Sequence, residues 1–173
     1  MHKNNIEPAQ FLVENVELLP KGRALDVAMG NGRNSIYLAK LGFVVEGVDI
    51  SKEAISTALR LAQETNVNIN AKVVDLEKYS IDKESYEVII CFNYLQRSLI
   101  PQIKYGLVKG GIVVYETFII GQAQFGRPKN PDYLLRHNEL LDMFSDFRCL
   151  RYQEGILKGP KAIASIIAQK PQT

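Results

Sequence analysis

Apolar stretches rich in β-branched residues alternate along this chain with stretches whose apolar residues recur at helical spacing. Residues 86–92, "YEVIICF", form a continuous apolar run that is typical of a strand buried on both faces of a sheet. Residues 51–65 place their alanines and leucines on one face of a helix that Ser51 would cap. This alternation predicts an α/β fold with a mostly parallel sheet covered by helices on both sides.

The predicted elements cover most of the chain. Strands are predicted at residues 23–28, 43–50, 70–76, 86–92 and 112–118, followed by "FRCLRYQ" and "AIASIIAQK". Helices are predicted at residues 8–19, 31–41, 51–65, 99–108 and 138–145, the last with Asn138 as its cap. The last two strands are joined by about ten residues, too few for a crossover helix, so they should form an antiparallel hairpin.

Length and composition favour one globular domain, residues 1–173. Of these 173 residues 46% are hydrophobic, which is enough for a sizeable core. The net charge of +2 gives no electrostatic support for binding nucleic acid or an anionic membrane. No apolar run is long enough for a membrane span and no secretory signal is apparent, so we expect a cytoplasmic protein.

The cysteines and histidines do not predict a metal site. Cys91 and Cys149 are far apart in sequence, and each lies in an apolar stretch. Buried, reduced thiols are therefore expected rather than a disulfide. The two histidines are not clustered with the cysteines, so no zinc site is predicted.

The turn "MGNGRN" after the first predicted strand is suited to a ligand. Gly30 and Gly32 have no Cβ, so the backbone can bend tightly there and come close to a bound molecule. The helix that follows begins with free N–H groups, which favour a carboxylate or a phosphate. The turn alone is weak support, because dinucleotide-binding proteins and turns that bind nothing also have this pattern.

Three acids near strand ends make the ligand more specific. Asp49 is placed to accept hydrogen bonds from both ribose hydroxyls, and Asp75 from an adenine amino group, beside the Leu76 N–H. Asp26 would repel a pyrophosphate but would pair with an α-ammonium group, unless it caps the turn or pairs through water. Adenine, ribose, ammonium and carboxylate without phosphate describe S-adenosylmethionine.

Five segments, "LDVAMGNGRNSIYLA", "VEGVDIS", "VVDLEKY", "YEVIICFNYLQRSL" and "GGIVVYETF", resemble the class I S-adenosylmethionine-dependent methyltransferases. The run "GNGRNSIYLA" is similar to the tellurite-resistance methyltransferase group. The resemblance covers nearly the whole chain. It implies a three-layer αβα sandwich with a Rossmann-like, seven-stranded, mostly parallel sheet and an antiparallel C-terminal hairpin strand.

The resemblance also implies a set of cofactor-binding residues. The methionine part would be surrounded by Asp26, Ala28, Gly30, Asn31, Gly32, Arg33 and Asn34. The ribose and adenine would be bound by Asp49, Ile50, Asp75 and Leu76, with Phe92 and Asn93 beside the cofactor. Ala28 departs from the family pattern, which usually has glycine there, and this puts the tightness of binding in doubt.

Catalytic residues are harder to assign, because the cofactor supplies the methyl group and a soft anion needs no base. The candidates are Tyr94, Arg97 and Glu116, near the ends of the fourth and fifth strands. Arg97 has a structural alternative, an ion pair with a carboxylate such as Glu116. The aperiodic segment 121–137 is either a lid that recognises substrate through Arg127 and Phe125 or a packed connector.

The main hypothesis is therefore an S-adenosylmethionine-dependent methyltransferase that acts on a small molecule. The resemblance favours a soft anion or a thiol as the acceptor. One alternative is a cofactor-binding subunit, or an inactive module, of a complex that modifies RNA or protein. A dehydrogenase that uses NAD is less favoured, because the chain is short and shows no second substrate domain.

Overall fold

The computed structural model describes residues 6–157 and 159–173, which form a seven-stranded sheet with flanking helices. The strands are β1 (Arg23–Val27), β2 (Val44–Asp49), β3 (Asn70–Val73), β4 (Tyr86–Phe92), β5 (Leu107–Phe118), β6 (Arg148–Leu157) and β7 (Lys161–Gln169). The helices are α1 (Gln10–Asn15), α2 (Arg33–Lys40), α3 (Lys52–Glu64), α4 (Leu99–Gly106) and α5 (Glu139–Met143). Short 3₁₀ segments lie at Val16–Leu18, Ile120–Gln124 and Pro131–Tyr133.

The sheet has the order β3-β2-β1-β4-β5-β7-β6. Strands β1 to β5 run parallel, whereas β7 is antiparallel to both of its neighbours, β5 and β6. The predicted fold class and its C-terminal hairpin are thus confirmed. The strand order reverses between β1 and β4, and in open α/β sheets ligands bind beyond the carboxyl ends of the strands at such a point.

Each face of the sheet is covered by its own part of the core. In β4, Val88 and Ile90 pack on the side of α1 and α2, whereas Ile89 and Cys91 pack on the side of α4 and α5. All four side chains are inaccessible to solvent. This explains the continuous apolar run of β4, because a central parallel strand has no face directed to water.

Several predicted boundaries were wrong. The first strand ends at Val27, and the third at Val73 rather than at residue 76. The helix predicted to reach residue 108 ends at Gly106, and β5 begins at Leu107. The glycines taken as a helix stop instead form an irregularity within β5, whose register against β4 shifts between Tyr86 and Val88.

The start of α5 also differs from the prediction. Asn138 stands at the N-cap position, but its side chain makes no capping hydrogen bond. Its backbone is left-handed, with φ of 65°, and its N–H donates to the carboxylate of Glu154 in β6. A carboxylate from a distant strand therefore satisfies the N–H that precedes this helix.

No helix within residues 6–157 and 159–173 combines the length and the apolar character needed to cross a membrane.

Candidate functional site

The two glycines of the turn between β1 and α2 are needed for different reasons. Both have left-handed backbones, with φ of 54° at Gly30 and 78° at Gly32. A Cβ at Gly32 would lie 2.9 Å from the Cβ of Ala58, so the close approach of α3 excludes a side chain there. A Cβ at Gly30 would meet no heavy atom of residues 6–157 and 159–173 within 4 Å, so among these residues nothing packs against Gly30 where a Cβ would lie.

Ala28, the departure from the family pattern, also has a left-handed backbone, with φ of 56°. This conformation disfavours an L-residue with a Cβ and explains why glycine is usual at the position. The backbone is nevertheless left-handed at Gly30 and Gly32 as well. The extra methyl group is therefore accommodated with backbone strain rather than by unwinding the turn.

Asp26 is buried beneath this turn, with 2% of its surface exposed. The Ser35 hydroxyl donates a hydrogen bond of 2.6 Å to its Oδ2 atom. Burial raises the pKa of Asp26 to about 7, while the hydrogen bond from Ser35 and the charge of Arg33 act in the opposite direction. A carboxylate so poorly solvated is stabilised by a cation brought close to it, as the ammonium group of the predicted cofactor would be.

Asp49 connects β2 to the turn. Its Oδ2 accepts the Gly30 N–H at 2.8 Å, and its Oδ1 accepts the Ser51 N–H at 2.9 Å. The hydroxyl of Ser51 in turn accepts from the N–H of Ala54, so the predicted cap of α3 is confirmed. Each carboxylate oxygen retains a second lone pair for a ribose hydroxyl, but the Gly30 N–H is already used within the protein.

Ile50 and Asp75 flank this carboxylate at the same edge of the sheet. Ile50 is 66% exposed, so its side chain is accessible to an adenine ring bound at this edge. Asp75 lies beyond β3, where its Oδ1 accepts the Glu77 N–H at 3.0 Å. Leu76 is buried in the core, so only its backbone is a candidate for contact with adenine.

Other predicted cofactor residues already have partners within the protein. The amide oxygen of Asn34 accepts the Ala9 N–H at 2.8 Å, and Arg33 donates to the Glu7 carbonyl at 3.0 Å. Phe92 packs its ring into the core beside α1, whereas Asn93 is exposed at the end of β4 with φ of 57°. Asn31 is exposed in the turn.

A cavity of about 560 Å³, here called the Arg127 cavity, opens at the carboxyl ends of β4 and β5. It is lined by Asn93, Tyr94, Leu95, Thr117, Phe118, Arg127, Pro128 and Tyr133. Among the described residues of this lining, Arg127 is the charged one and none is a carboxylate. Phe125, the other predicted substrate residue, is partly exposed and does not belong to the lining.

Arg97 forms an ion pair with a carboxylate, as its structural alternative stated, but the partner is Glu139 and not Glu116. Its Nε and one terminal nitrogen donate to the two Glu139 oxygens at 2.6 and 3.1 Å. The remaining donors reach the carbonyl oxygens of Asp132 and Leu134 at 2.9 and 3.0 Å. Arg97 thereby holds the segment that carries Tyr133, one wall of the Arg127 cavity.

Tyr94 and Glu116, the other catalytic candidates, lie on different cavities. The Tyr94 hydroxyl donates to the side chain of Gln96 at 2.7 Å and lines the Arg127 cavity. Glu116 borders a second cavity of about 390 Å³, here called the Glu116 cavity, with lining from α1, α2, β6 and β7. Asn93 lines both cavities and so stands between them.

Sequence reasoning missed the partners of these residues. Ser35, Glu139 and Ser165 each bond to a predicted site residue from a separation of 9, 42 and 49 positions respectively. No local motif marks the last two, because each pair forms only when distant elements meet. Within residues 6–157 and 159–173, no group of three or more His, Cys, Asp or Glu side chains is arranged to hold a metal ion.

The chemical groups at this edge of the sheet match those needed to bind the predicted cofactor. Gly30 leaves room for close approach, Asp26 is a buried carboxylate with a raised pKa, and Asp49 accepts a hydrogen bond from the same turn. The N-terminus of α2 has no side-chain cap among the described residues and can accept a carboxylate. These groups would hold S-adenosylmethionine, whose sulfonium supplies a transferable methyl group.

Comparison with known proteins identifies the family. Residues 2–163 match the model of the tellurite resistance protein TehB family. The chain is 25% identical over 151 residues to a probable S-adenosyl-L-methionine-dependent methyltransferase TehB of Haemophilus influenzae, which covers 84% of this chain and 52% of the relative. It is 34% identical over 98 residues to a ubiquinone biosynthesis O-methyltransferase of Coxiella burnetii, covering 56% of this chain and 42% of the relative.

A solved structure agrees with these sequence matches. The crystal structure of TehB from Haemophilus influenzae superposes with a TM-score of 0.81 at 23% identity, covering 94% of this chain and 62% of that one. The chain thus spans about half the length of the curated relatives that it matches. The resemblance predicted from "GNGRNSIYLA" is confirmed: the chain belongs to the TehB family and has the fold of S-adenosylmethionine-dependent methyltransferases.

Proposed function

We propose that residues 1–173 form a single S-adenosylmethionine-dependent methyltransferase domain that modifies a small molecule, either a soft anion or a thiol. The observation that carries the acceptor class is the Arg127 cavity, in which the described lining residues include one charged side chain, the cation of Arg127. A cation in this lining favours an anionic ligand, since it can donate charge-assisted hydrogen bonds to it.

The position of this cavity supports the proposal. Asn93 and Tyr94 follow β4 at the reversal of strand order, and Asn93 is fixed by its N–H, which donates to the Glu116 carbonyl at 2.9 Å. An acceptor bound there lies beside the edge of the sheet that carries Asp26 and Asp49. The family's name also refers to tellurite, an anion of a soft element.

The role of the protein would be to align the reacting atoms and to exclude water. In-line displacement at a methyl carbon requires nucleophile, carbon and sulfur to be collinear, and holding them in this geometry lowers the activation barrier. A thiolate or a reduced chalcogen anion needs no base. For such acceptors Arg127 would bind and orient the anion, and Tyr94 and Tyr133 would form the walls.

Two measurements test the proposal. Calorimetry should detect saturable binding of S-adenosylmethionine and of its demethylated product, and Asp49→Asn should weaken both. Methyl transfer to hydroselenide should then fall at least tenfold in kcat/KM in Arg127→Ala, as expected for the loss of a charge-assisted contact. Lys129→Ala is the matched control, because Lys129 is a cation of the same segment that does not line the cavity.

The outcomes separate the alternatives. Binding without transfer to hydroselenide or to any thiol would favour the cofactor-binding subunit over the enzyme. Tighter binding of NAD than of S-adenosylmethionine would favour the dehydrogenase. Equal losses in Arg127→Ala and Lys129→Ala would remove the argument for an anionic acceptor in this cavity.

A further inference from the structure

A row of three polar side chains crosses the antiparallel part of the sheet beside the Glu116 cavity. Glu116 in β5 is the register partner of Ser165 in β7, and Ser165 is the register partner of Gln153 in β6. Directly opposite residues on neighbouring strands project from the same face, so their side chains meet. Gln153 and Glu116 both line the cavity, whereas Ser165 is fully buried between them.

The hydrogen bonds in this row have a defined direction. The Gln153 amide nitrogen donates to the Ser165 hydroxyl at 3.1 Å, and that hydroxyl donates to Glu116 Oε2 at 2.6 Å. Since an amide nitrogen can only donate, the hydroxyl proton of Ser165 is directed to Glu116. The row therefore orients one carboxylate oxygen and leaves the other available.

The surroundings suit a group that takes up a proton. Ser165 is the sole hydrogen-bond donor to the Glu116 side chain in the described part of the chain. Burial raises the pKa of Glu116 above its usual range, while the hydrogen bond from Ser165 and the charges of Arg33 and Lys161 lower it. The negative charge of Glu14, on α1, also raises the pKa of Glu116. A carboxylate with a raised pKa is a better base at neutral pH than an ordinary one.

We propose that Glu116 is the general base for acceptors whose nucleophilic atom carries a proton, such as a phenol or an amine, and that Ser165 and Gln153 position its carboxylate. The inference rests on the proposed methyl transfer and extends it from anions to small O–H and N–H acceptors. The lone pair of the acceptor's oxygen or nitrogen atom forms a bond to the methyl carbon. The proton on that acceptor atom moves at the same time to the Glu116 oxygen that Ser165 does not contact. The carbon–sulfur bond breaks with its electron pair on sulfur, and solvent in the cavity later takes the proton.

The test compares catechol, a protonated acceptor, with hydroselenide, which is already an anion at neutral pH. Glu116→Gln should lower kcat/KM for catechol by about 100-fold and should lower kcat/KM for hydroselenide far less, because that acceptor has no proton to lose. Glu17→Gln is the matched control, an exposed glutamate outside both cavities. Thermal unfolding of each variant checks that it is folded.

Ser165→Ala tests whether Ser165 acts through the Glu116 carboxylate, because a purely structural role of Ser165 would not change the pH dependence of methyl transfer. Removing its hydrogen bond should raise the pKa of Glu116, so the acid limb of the catechol pH profile should shift to higher pH. The same shift should appear without cofactor in the carbon-13 NMR titration of the Glu116 carboxyl group.

Different failures have different meanings. Transfer to hydroselenide without transfer to catechol would overturn the role of Glu116 and leave the proposed function intact. The same holds if Glu116→Gln lowers both activities equally or if the Glu116 titration is unchanged in Ser165→Ala. A wild-type protein that transfers methyl groups to neither of these acceptors nor to any thiol overturns both proposals.

Discussion

The hydroxyl of Ser35 donates a 2.6 Å hydrogen bond to Asp26, a carboxylate that is otherwise enclosed by the core below the glycine-rich turn. Ser35 stands in the first turn of α2, so the pair joins that helix to β1. Burial outweighs this hydrogen bond and keeps the pKa of Asp26 raised, at about 7. The pair therefore makes both stability and ligand binding sensitive to pH.

Asp26 should make the ligand-free protein less stable as the pH rises. Its folded pKa exceeds the unfolded value of 3.8, so its stabilising contribution is complete below that value and is lost as the pH rises through about 7. Between about pH 6 and pH 8 the free energy of unfolding should fall by about 1 kcal/mol more in wild type than in Asp26→Asn. Urea unfolding of both proteins measures this difference, and identical pH dependence in the two would contradict it.

Binding of S-adenosylmethionine should show the opposite pH dependence. The ammonium group of the cofactor pairs with ionised Asp26, so affinity should be greater above pH 7 than below it. Calorimetry across this range should show the effect in wild type and lose most of it in Asp26→Asn. Weaker binding at the higher pH would mean that Asp26 does not face the ammonium group.

Ala28→Gly should stabilise the protein. The left-handed backbone at Ala28 costs about 1–2 kcal/mol for a residue with a Cβ, and part of the relief is offset by the greater freedom of glycine in the unfolded chain. We expect a net gain of about 0.5–1 kcal/mol in the free energy of unfolding. Ala24→Gly, in the buried interior of β1, is the control and should destabilise the protein instead.

Gly30→Ala and Gly32→Ala should have separable effects. Both strain a left-handed backbone, but only the methyl group at Gly32 meets Ala58. Gly32→Ala should therefore be the more destabilising, and Ala58→Gly should partly restore its stability. Gly30→Ala should chiefly weaken cofactor binding, because its methyl group points into open space. Unfolding and calorimetry on the same samples distinguish the two, and equal losses in both assays would refute the assignment.

The pair of Arg97 and Glu139 should stabilise the segment that carries Tyr133. Glu139 is buried, and its hydrogen bond from Arg97 holds its pKa below the usual range, so the benefit is present at neutral pH and is lost on acidification. Arg97→Ala and Glu139→Ala should each lower the free energy of unfolding by about 1–3 kcal/mol. The double variant should lose much less than the sum, since both changes remove the same interaction. Additive losses would indicate independent roles.

Local sequence patterns were sufficient for the α/β class, the hairpin and the glycine-rich turn. Spacing of apolar residues determines which face of a helix or strand is buried, and a short connection between the last two strands permits only antiparallel pairing. The acids Asp26 and Asp49 were also predictable as neighbours, because the carboxyl ends of parallel strands share one edge of the sheet. The irregularity within β5 was not predictable from the sequence, because "KGG" is equally typical of the end of a helix.

The tertiary structure alone decided which distant side chains meet. Glu116 reaches Ser165 because β7 inserts between β5 and β6 in a particular register. Arg97 reaches Glu139 because the segment after β5 brings the start of α5 next to the loop that follows β4. Neither contact can be predicted from a periodic pattern in the sequence, because each depends on the order of the strands and the path of the loops and not on local spacing. At Ala28 the sequence shows only that the residue departs from the family pattern. The backbone angle φ of Ala28 is what shows that the turn is retained under strain.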